Sequence, residues 1–232
     1  MSKLKQAPII SLNQVSKSYL EGNISRLVLD SISAELQEGE CVALFGRSGS
    51  GKSTMLNLIS GIDKPDNGSI MIQDKDITRL SELERTLFRR SHIGFIYQFF
   101  NLIPTLTVLE NVMLPLELNN KRDESLVKSL LDEVSLLNRQ DEYPDRLSGG
   151  EQQRVAIIRA LVHDPLIVLA DEPTGNIDQE TGNQIIKILE KLVRKRNKTM
   201  ILVTHSQEIA SFADRHLLLE NGVLKPQNKA VV

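Results

Sequence analysis

The sequence predicts an α/β fold with a parallel β-sheet at its core. Short, almost wholly apolar runs alternate with helical patterns along most of the chain, as expected when helices connect parallel strands. An early segment, "LVLDSISAELQEGE", instead alternates apolar and polar side chains, which indicates an antiparallel β layer beside that core. The stretch from about residue 99 to 159 carries mainly helical patterns and interrupts the strand–helix rhythm. We therefore expect a helical subdomain inserted into the parallel core.

Each expected element rests on the spacing of its apolar residues. The run "CVALFG" predicts a strand that ends in glycine, and "KSTMLNLISGI" predicts the helix after it. The runs "GSIMIQ", "IGFIYQ", "LIVLAD" and "TMILVTH" predict further strands, of which the last two are apolar enough to be covered on both faces. "LLLENGVLK" predicts a hairpin with Asn221 and Gly222 at its turn. Apolar stripes at helical spacing predict two more helices, one formed by Leu126, Val127, Leu130, Leu131 and Val134, the other by Ile185, Ile186, Leu189, Leu192 and Val193.

The length and composition fit a globular protein with a substantial core. The chain has 232 residues, of which 41% are hydrophobic and 25% charged, enough for one large domain or two small ones. We expect a single domain over residues 1–225, with the helical subdomain at about 99–159 inserted in it. Residues 226–232 are expected to form a short tail.

Composition also excludes several classes of protein. The net charge of −2 leaves no basic footprint for nucleic acid. The single cysteine, Cys41, lies within an apolar run and is interpreted as a small buried hydrophobe in a reducing compartment. The first residues, "MSKLKQAPII", lack the apolar core of a signal peptide, and no run approaches the ~18–20 apolar residues of a membrane span. We expect a cytoplasmic protein that needs another protein to anchor it if it works at a membrane.

A phosphate-binding loop is the clearest motif in the chain. "GRSGSGKS" matches G-x-x-x-x-G-K-[ST] and lies between a predicted strand and a predicted helix. Its glycines let successive backbone N–H groups curl around an anion, which a plain Ser/Gly turn does not require. Lys52 supplies a cation for the β- and γ-phosphates, and Ser53 offers a hydroxyl to Mg²⁺. The expected nucleotide-binding residues are Gly46, Arg47, Ser48, Gly49, Ser50, Gly51, Lys52, Ser53 and Thr54.

Two carboxylates follow the apolar run "LIVLAD". Asp171 is expected at the carboxyl edge of the sheet, where ligands bind in open α/β folds, and there it can hold Mg²⁺. Glu172 comes next and can orient or deprotonate an attacking water. A solvated acidic turn is the structural alternative, and a kinase would need a phosphoryl acceptor site instead. Together with the phosphate loop, the pair indicates nucleotide hydrolysis.

Two more polar residues end predicted strands. His205 ends "TMILVTH" and is expected near Asp171, where its imidazole can donate to the γ-phosphate. The alternative is a histidine that only satisfies local hydrogen bonds. Gln98 ends "IGFIYQ" and can contact Mg²⁺ or the attacking water through its amide.

A second glycine-rich helix start raises a further question. In "LSGGEQQR", Ser148 and Glu151 have the spacing of a capping box, which places Gly149 and Gly150 at the first two helical positions. Glycine there costs up to about 1 kcal/mol relative to alanine, and a cap does not need it. Close approach of an anion to bare backbone does need it. One triphosphate rarely needs two such cradles in one domain.

Taken together, these motifs resemble a known family. The phosphate loop, Gln98, "LSGGEQQR", "LIVLADEPTGNID" and His205 occur in the order and spacing of ABC-type ATPase domains, over nearly the whole chain. The resemblance implies a head-to-tail homodimer with two ATP molecules, in which Ser148, Gly149, Gly150 and Glu151 bind the ATP held by the other subunit. It implies that Asp178 links the two sites and that Tyr19 stacks on adenine. For ATP hydrolysis, we expect Lys52, Glu172 and His205 to act in catalysis. We expect Ser53, Gln98 and Asp171 to bind Mg²⁺.

Two stretches are similar to one subgroup of that family. "EPTGNID" and "YQFFNLIPTLTVLENV" resemble the ATPases of macrolide exporters, lipoprotein-release systems and a cell-division pair. The resemblance implies a separate transmembrane permease that docks near Phe99–Leu116 at the cytoplasmic face of the membrane, and a role in efflux or mechanotransmission. An ATPase that signals to a membrane partner in cell division or cell-wall regulation, without cargo, stays open. A DNA-repair ATPase is disfavoured because no sustained heptads separate the phosphate loop from "LSGGEQQR".

Overall fold

The computed structural model describes residues 7–22 and 24–227, which fall into two compact units. The first unit comprises the described parts of Met1–Leu87 and Thr199–Val232, and the second is Phe88–Lys198. The bounds of a single domain and an inserted subdomain stay predictions. Residues 228–232 of the predicted tail lie outside the described residues, whereas 226 and 227 belong to the last strand.

The described chain forms ten strands and seven α-helices, with short 3₁₀ turns between some of them. The strands are β1 (Ile10–Glu21), β2 (Ile24–Leu36), β3 (Cys41–Phe45), β4 (Asn67–Ile72), β5 (Lys75–Asp76), β6 (Ile93–Ile96), β7 (Ile167–Asp171), β8 (Thr199–Val203), β9 (Arg215–Glu220) and β10 (Val223–Gln227). The helices are α1 (Lys52–Ile59), α2 (Glu82–His92), α3 (Val108–Leu118), α4 (Glu124–Glu133), α5 (Gly149–Leu161), α6 (Gln179–Lys195) and α7 (Gln207–Ala210).

The first unit contains the antiparallel layer expected from the early alternating segment. Its strands lie in the order β2-β1-β4-β5, and each neighbouring pair is antiparallel. In β2, Ile32 and Leu36 are buried while Ser33 and Glu35 are exposed, so the apolar face of the alternation is the covered one.

The same unit contains a parallel arrangement that positions the phosphate loop. β3 pairs with β8 on one side and with β9 on the other, both in parallel, and all five residues of β3 are buried. β9 returns through the predicted Asn221–Gly222 turn to pair with β10. Parallel strands end at the same edge of a sheet, so the loop after β3 and His205, just after β8, emerge at one edge.

In the second unit, β6 and β7 pair in parallel, and α5 packs against β6, α3 and α6. Gln98 follows β6 by two residues and Asp171 ends β7, so both lie at the carboxyl edge of this pair. Of the stripe predicted for α4, Val127, Leu130 and Leu131 are buried, but Leu126 is exposed. Among the described residues, no helix has the length and apolar content needed to cross a bilayer.

Candidate nucleotide-binding site

The phosphate loop has the backbone that its sequence predicts. Gly51 is the N-cap residue of α1 with φ 102°, in the left-handed region, and contributes no side-chain cap. A Cβ at Gly51 would lie 2.8 Å from Val28 Cγ1, so a side chain is excluded by both conformation and space. The start of α1 therefore presents backbone N–H groups and the positive end of the helix dipole to an anion.

Lys52 is held across this loop. Its side chain is only 6% exposed, and its Nζ donates to the carbonyl oxygens of Gly46 (2.8 Å) and Arg47 (3.0 Å). These bonds hold a cation at the loop that curls ahead of α1. That is the position from which an ammonium can meet the β- and γ-phosphates of a bound nucleotide.

A cavity of about 680 Å³ adjoins the loop within the first unit. The loop residues 46–50 line it together with His205, residues 26–28 of β2 and the hairpin residues 218–222. The structure thus brings His205 to the same cavity as the phosphate loop. The contact of His205 with a γ-phosphate stays a prediction.

Tyr19 lies on β1 with its side chain 38% exposed, and its phenol donates to Asp63 Oδ2 at 2.8 Å. Burial and this hydrogen bond raise the pKa of Tyr19, and a side-chain hydrogen bond with Thr54 of α1 partly opposes the shift. Lys17 Nζ lies 5.2 Å from the ring centroid. The Tyr19 ring is therefore held beside the first turn of α1, and its stacking on adenine stays a prediction.

In the second unit, Gln98 contacts the segment that follows β7. Asn176 Nδ2 donates to the Gln98 carbonyl oxygen at 3.1 Å, and Gln98 Nε2 donates to Asn176 Oδ1 at 3.5 Å. A Cβ at Gly175 would lie 2.7 Å from Gln98 Nε2, so glycine permits this approach. Sequence reasoning missed Asn176; its only signal was a polar residue within "EPTGNID" that had no assigned role.

Asp171 and Glu172 stand at the end of β7, both half-buried. Glu172 has φ 45°, and its carbonyl oxygen accepts from the Gly175 N–H at 3.0 Å, which closes a tight turn. The roles expected for the two carboxylates, one with Mg²⁺ and the other with water, stay predictions.

The signature segment, Leu147–Arg154, begins α5 with the predicted capping box. Ser148 Oγ accepts from the Glu151 N–H at 3.3 Å, and Glu151 Oε2 accepts from the Ser148 N–H at 2.8 Å. The second bond is the main cause of a lowered pKa for Glu151. Both glycines occupy the first two helical positions, as expected.

The two glycines differ in their surroundings. A Cβ at Gly150 would lie 2.6 Å from Thr181 Cγ2, so packing against α6 alone requires glycine at this position. A Cβ at Gly149 would meet only Phe100 Cζ at 3.6 Å, an ordinary contact. The sequence predicts that both glycines allow close approach of an anion, but in the structure Gly150 is already needed for packing against α6, and only Gly149 lacks such a reason.

Asp178 also has a local role. It is the N-cap of α6, and its Oδ1 accepts from the Thr181 N–H at 3.0 Å, which lowers the pKa of Asp178. Its expected contact across a dimer stays a prediction. Among the described residues, no cluster of three His, Cys, Asp or Glu side chains forms a metal site. The candidate Mg²⁺ ligands have oxygen atoms of kinds that Mg²⁺ accepts: a hydroxyl on Ser53 in the first unit, and an amide on Gln98 and a carboxylate on Asp171 in the second.

The loop, the helix behind it and the parallel strands define a P-loop nucleotide-binding protein. Residues 29–175 match the model of the family described as ABC transporter, and the chain belongs to this family. It is accordingly an ATP-binding subunit of a transporter and an ATPase.

Relatives align over almost their whole length. An uncharacterized ABC transporter ATP-binding protein of Mycobacterium tuberculosis H37Rv is 50% identical over 96% of this chain and 91% of its own. The lipoprotein-releasing system ATP-binding protein LolD of Coxiella burnetii is 43% identical over 97% and 99%. The ABC transporter ATP-binding protein YtrE of Bacillus subtilis is 43% identical over 94% and 97%.

A solved structure shares the fold. The dimeric post-hydrolysis state of the ATP-binding cassette MJ0796, bound to ADP and Pi, has a TM-score of 0.87 and 39% sequence identity. The match covers 96% of this chain and all of that one. It agrees with the predicted combination of parallel core, antiparallel layer and helices.

Proposed function

We propose that two copies of this chain close head-to-tail around two ATP molecules and drive a separate membrane permease. The observation that carries the proposal is a second anion cradle. The phosphate loop already provides one, yet α5 also begins with a glycine, Gly149, that the chain's own packing does not require. A second molecule gives that helix start a ligand. The dimeric cassette structures of MJ0796 support the same assembly.

Each ATP would take its ligands from both copies. From its own copy, Lys52 and residues 46–54 bind the phosphates, Tyr19 stacks on adenine, and Ser53, Gln98 and Asp171 hold Mg²⁺. Bound Mg²⁺ supplies positive charge that offsets the negative charge of the phosphates. Glu172 accepts a proton from the attacking water or orients it, and His205 donates to the γ-phosphate.

The other copy would contribute the signature helix. Ser148, Gly149, Gly150 and Glu151 present the start of α5 to the γ-phosphate, and Asp178 reaches across the interface. ATP has these contacts only in the closed dimer, so ATP favours closure. Loss of the γ-phosphate removes the bridge between Lys52 and the opposite Gly149, and the dimer opens. The two copies present identical patches, which gives two-fold symmetry.

The opening and closing would be passed to a permease near Phe99–Leu116 at the cytoplasmic face of the membrane. Phe99 supports this docking surface because its side chain is 70% exposed. Relatives that are equally identical to this chain, at 43%, carry the different names LolD and YtrE, which supports selection of cargo by the permease rather than by the ATPase. Efflux or mechanotransmission is the proposed mode.

Mixed dimers test the assembly. Lys52→Ala and Gly149→Asp each remove both sites of a homodimer. A dimer of one copy of each keeps one intact site, because the Lys52→Ala copy lends its normal signature to the normal phosphate loop of the other. Random mixing should restore about a quarter of the wild-type ATPase rate in a two-fold dimer. Failure to restore activity, under conditions where mixed dimers form, would show that the head-to-tail model is wrong.

A further inference from the structure

Two residues shortly after Gln98 have an unusual backbone. Phe100 and Asn101 have φ values of 57° and 51°, in the left-handed region. Asparagine tolerates this conformation, but a bulky residue such as phenylalanine is an outlier there. Two such residues in succession persist only where surrounding contacts hold them.

Arg159 of α5 provides those contacts. Its Nη2 donates to the Phe100 carbonyl oxygen at 2.8 Å, and its Nη1 donates to the Asn101 carbonyl oxygen at 2.6 Å. Bonds from a cation to carbonyl oxygens are stronger than neutral ones, and the planar guanidinium suits two adjacent acceptors. Burial lowers the pKa of the Arg159 guanidinium, as expected for a cation withdrawn from water to make these bonds.

The same segment contacts two parts of the proposed ATP machinery. The Phe100 ring approaches the first residue of α5, since its Cζ lies 3.6 Å from the position of a Cβ at Gly149. At the other end, Asn176 donates to the Gln98 carbonyl oxygen. Residues 98–101, which we call the bridging segment, thus connect Gln98 along the chain to Phe100, which contacts the start of α5 in the signature segment.

We propose that Arg159 is a positioning residue that fixes the bridging segment to α5, so that Gln98 and Gly149 of one subunit move together. The proposal rests on the proposed function, in which Gln98 serves the subunit's own ATP and Gly149 serves the ATP of its partner. Arg159 then couples the two nucleotide sites of the dimer from within each subunit. Without the Arg159 guanidinium, Phe100 and Asn101 leave the left-handed region. Gln98 then shifts from its position, and the contact between Phe100 and Gly149 is lost.

Arg159→Met removes both donors but keeps an apolar side chain of similar reach. We expect kcat for ATP hydrolysis to fall about tenfold, because small misplacements of a catalytic constellation have large effects on rate. The Kd for ATP of the Arg159→Met protein, measured under conditions where it is monomeric, should change less than about twofold, since Lys52 and its loop are unaltered. Arg159→Lys, which keeps the charge and one donor group, should recover part of the rate.

Arg196→Met is the matched control. Arg196 is also half-buried in the second unit and donates to a backbone carbonyl, that of Leu192, and to Glu133. Its loss should lower the melting temperature without changing kcat. If Arg159→Met lowers kcat no more than Arg196→Met at an equal loss of melting temperature, Arg159 has only a structural role and the proposal is overturned.

The strain gives a second test. Glycine adopts positive φ without cost, so Asn101→Gly makes the bridging segment less dependent on Arg159. In the Arg159→Met background, Asn101→Gly should raise kcat about threefold, measured as the coupling in a double-mutant cycle. Simple additivity of the two substitutions would contradict the proposed hold on the left-handed backbone.

The sharpest test places Arg159→Met in one copy of the mixed dimer. The only working site there takes its Gln98 from the Gly149→Asp copy and its signature from the Lys52→Ala copy. The proposal expects a loss of rate with Arg159→Met in either copy. A loss confined to the Lys52→Ala copy would mean that Arg159 supports only the signature helix, and no loss in either would remove its role. An inactive parent mixture would instead overturn the proposed dimer.

Discussion

At the residue scale, Glu172 combines a chemical and a conformational feature. Its φ of 45° places a charged, non-glycine residue in the left-handed region directly after β7. Such a conformation costs of order 1–3 kcal/mol and is enriched at functional sites, although ten other non-glycine residues of the described chain also have positive φ. The bond from the Gly175 N–H to its carbonyl oxygen closes the turn and offsets part of that cost. The backbone of Glu172 is therefore fixed by the turn, and its catalytic role stays a prediction.

Asn176 should affect catalysis through Gln98. Asn176→Ala removes both bonds to Gln98, whereas Asn176→Asp keeps an acceptor for Gln98 Nε2 and loses the donor to the carbonyl oxygen. Each bond is exposed and contributes about 0.5–1.5 kcal/mol, so kcat should fall about threefold to tenfold in the alanine variant. Steady-state kinetics at a series of Mg²⁺ concentrations measure the fall in kcat. We also expect the Mg²⁺ concentration at half-maximal rate to rise.

Asn138→Ala, at an exposed position of the second unit, serves as the control for loss of an asparagine. An unchanged Mg²⁺ dependence in Asn176→Ala would show that Asn176 does not position Gln98.

Sequence patterns predicted residues whose partners are close in the chain, and missed those whose partners are distant. The capping box of Ser148 and Glu151 spans three residues, so its spacing revealed it. Asn176 and Arg159 bond to carbonyl oxygens that lie 78 and 59 residues away in the chain. A backbone carbonyl has no residue identity, so no motif can mark such a partner.

At the element scale, the start of α5 separates two glycines that look equivalent in sequence. Gly150→Ala pushes a methyl group toward Thr181 Cγ2, and overpacking of this kind typically costs about 1–3 kcal/mol. Gly149→Ala meets no such obstacle and should stabilise the helix by up to about 1 kcal/mol. Urea unfolding of the two variants should therefore give changes of opposite sign.

Activity should not follow stability in this pair. Gly149→Ala places a methyl group where the proposed partner ATP approaches, so its ATPase rate should fall although its fold is more stable. Thr181→Ser removes Cγ2 and should restore the stability of Gly150→Ala. A fully active Gly149→Ala enzyme would remove the main support for an anion at this helix start.

The ends of α4 and α6 carry an ion-pair group with a defined pH dependence. Glu133 accepts from Lys195 (2.9 Å) and Arg196 (3.2 Å), and the Lys195 bond is the main cause of a lowered pKa for Glu133. Because the folded pKa is depressed, this stabilisation is present above the ordinary value of 4.5 and is lost as pH falls through the folded value.

Glu133→Gln should therefore lower the free energy of unfolding at pH 7 by about 0.5–1 kcal/mol, since Lys195 is largely exposed and screened. The difference from wild type should begin to shrink as pH falls below 4.5 and should be lost once the pH is below the lower pKa of the folded carboxyl. Urea unfolding at a series of pH values measures this. A difference that stays constant down to acid pH would assign the effect to packing instead.

Two elements of the first part of the chain, α2 and β1, were missed for different reasons. α2 has Leu83, Leu87 and Phe88 at helical spacing, a short pattern that was overlooked, and it buries only Phe88. β1 has register shifts against β2 between Leu12 and Val15 and again around Lys17, which break its alternation. In β1, pairing with β2 and β4 determines the structure more than the local pattern does.

At the scale of the whole molecule, the predicted site residues are divided between the two units. Lys52, Tyr19 and His205 belong to the first, whereas Gln98, Glu172 and the signature segment belong to the second. The site residues of each unit could be predicted from motifs that lie within that unit. The assembly with a second copy came from the resemblance, because a docking partner leaves no local periodicity in either chain.

If ATP binds between two copies, the rise in melting temperature that ATP causes should depend on the concentration of the protein. Glu172→Gln removes the proposed base but keeps the phosphate loop, so ATP is bound and hydrolysis is slow. A ligand stabilises the state to which it binds, and if that state is a dimer the melting temperature rises with protein concentration. Scanning calorimetry over a hundredfold range of Glu172→Gln protein concentration, with saturating Mg²⁺ and ATP, measures how steeply the melting temperature rises with protein concentration. That rise is the slope compared below.

Gly149→Asp in the Glu172→Gln background separates the two modes of binding. This variant keeps Lys52 and its loop but repels the partner's ATP through its added carboxylate, so ATP should raise its melting temperature by an amount independent of protein concentration. The difference in slope between the two proteins isolates the part of the ATP affinity that exists only when Gly149 of one copy meets the phosphates held by the other. Equal slopes would mean that ATP is bound wholly within one chain, and the second anion cradle would then need another ligand.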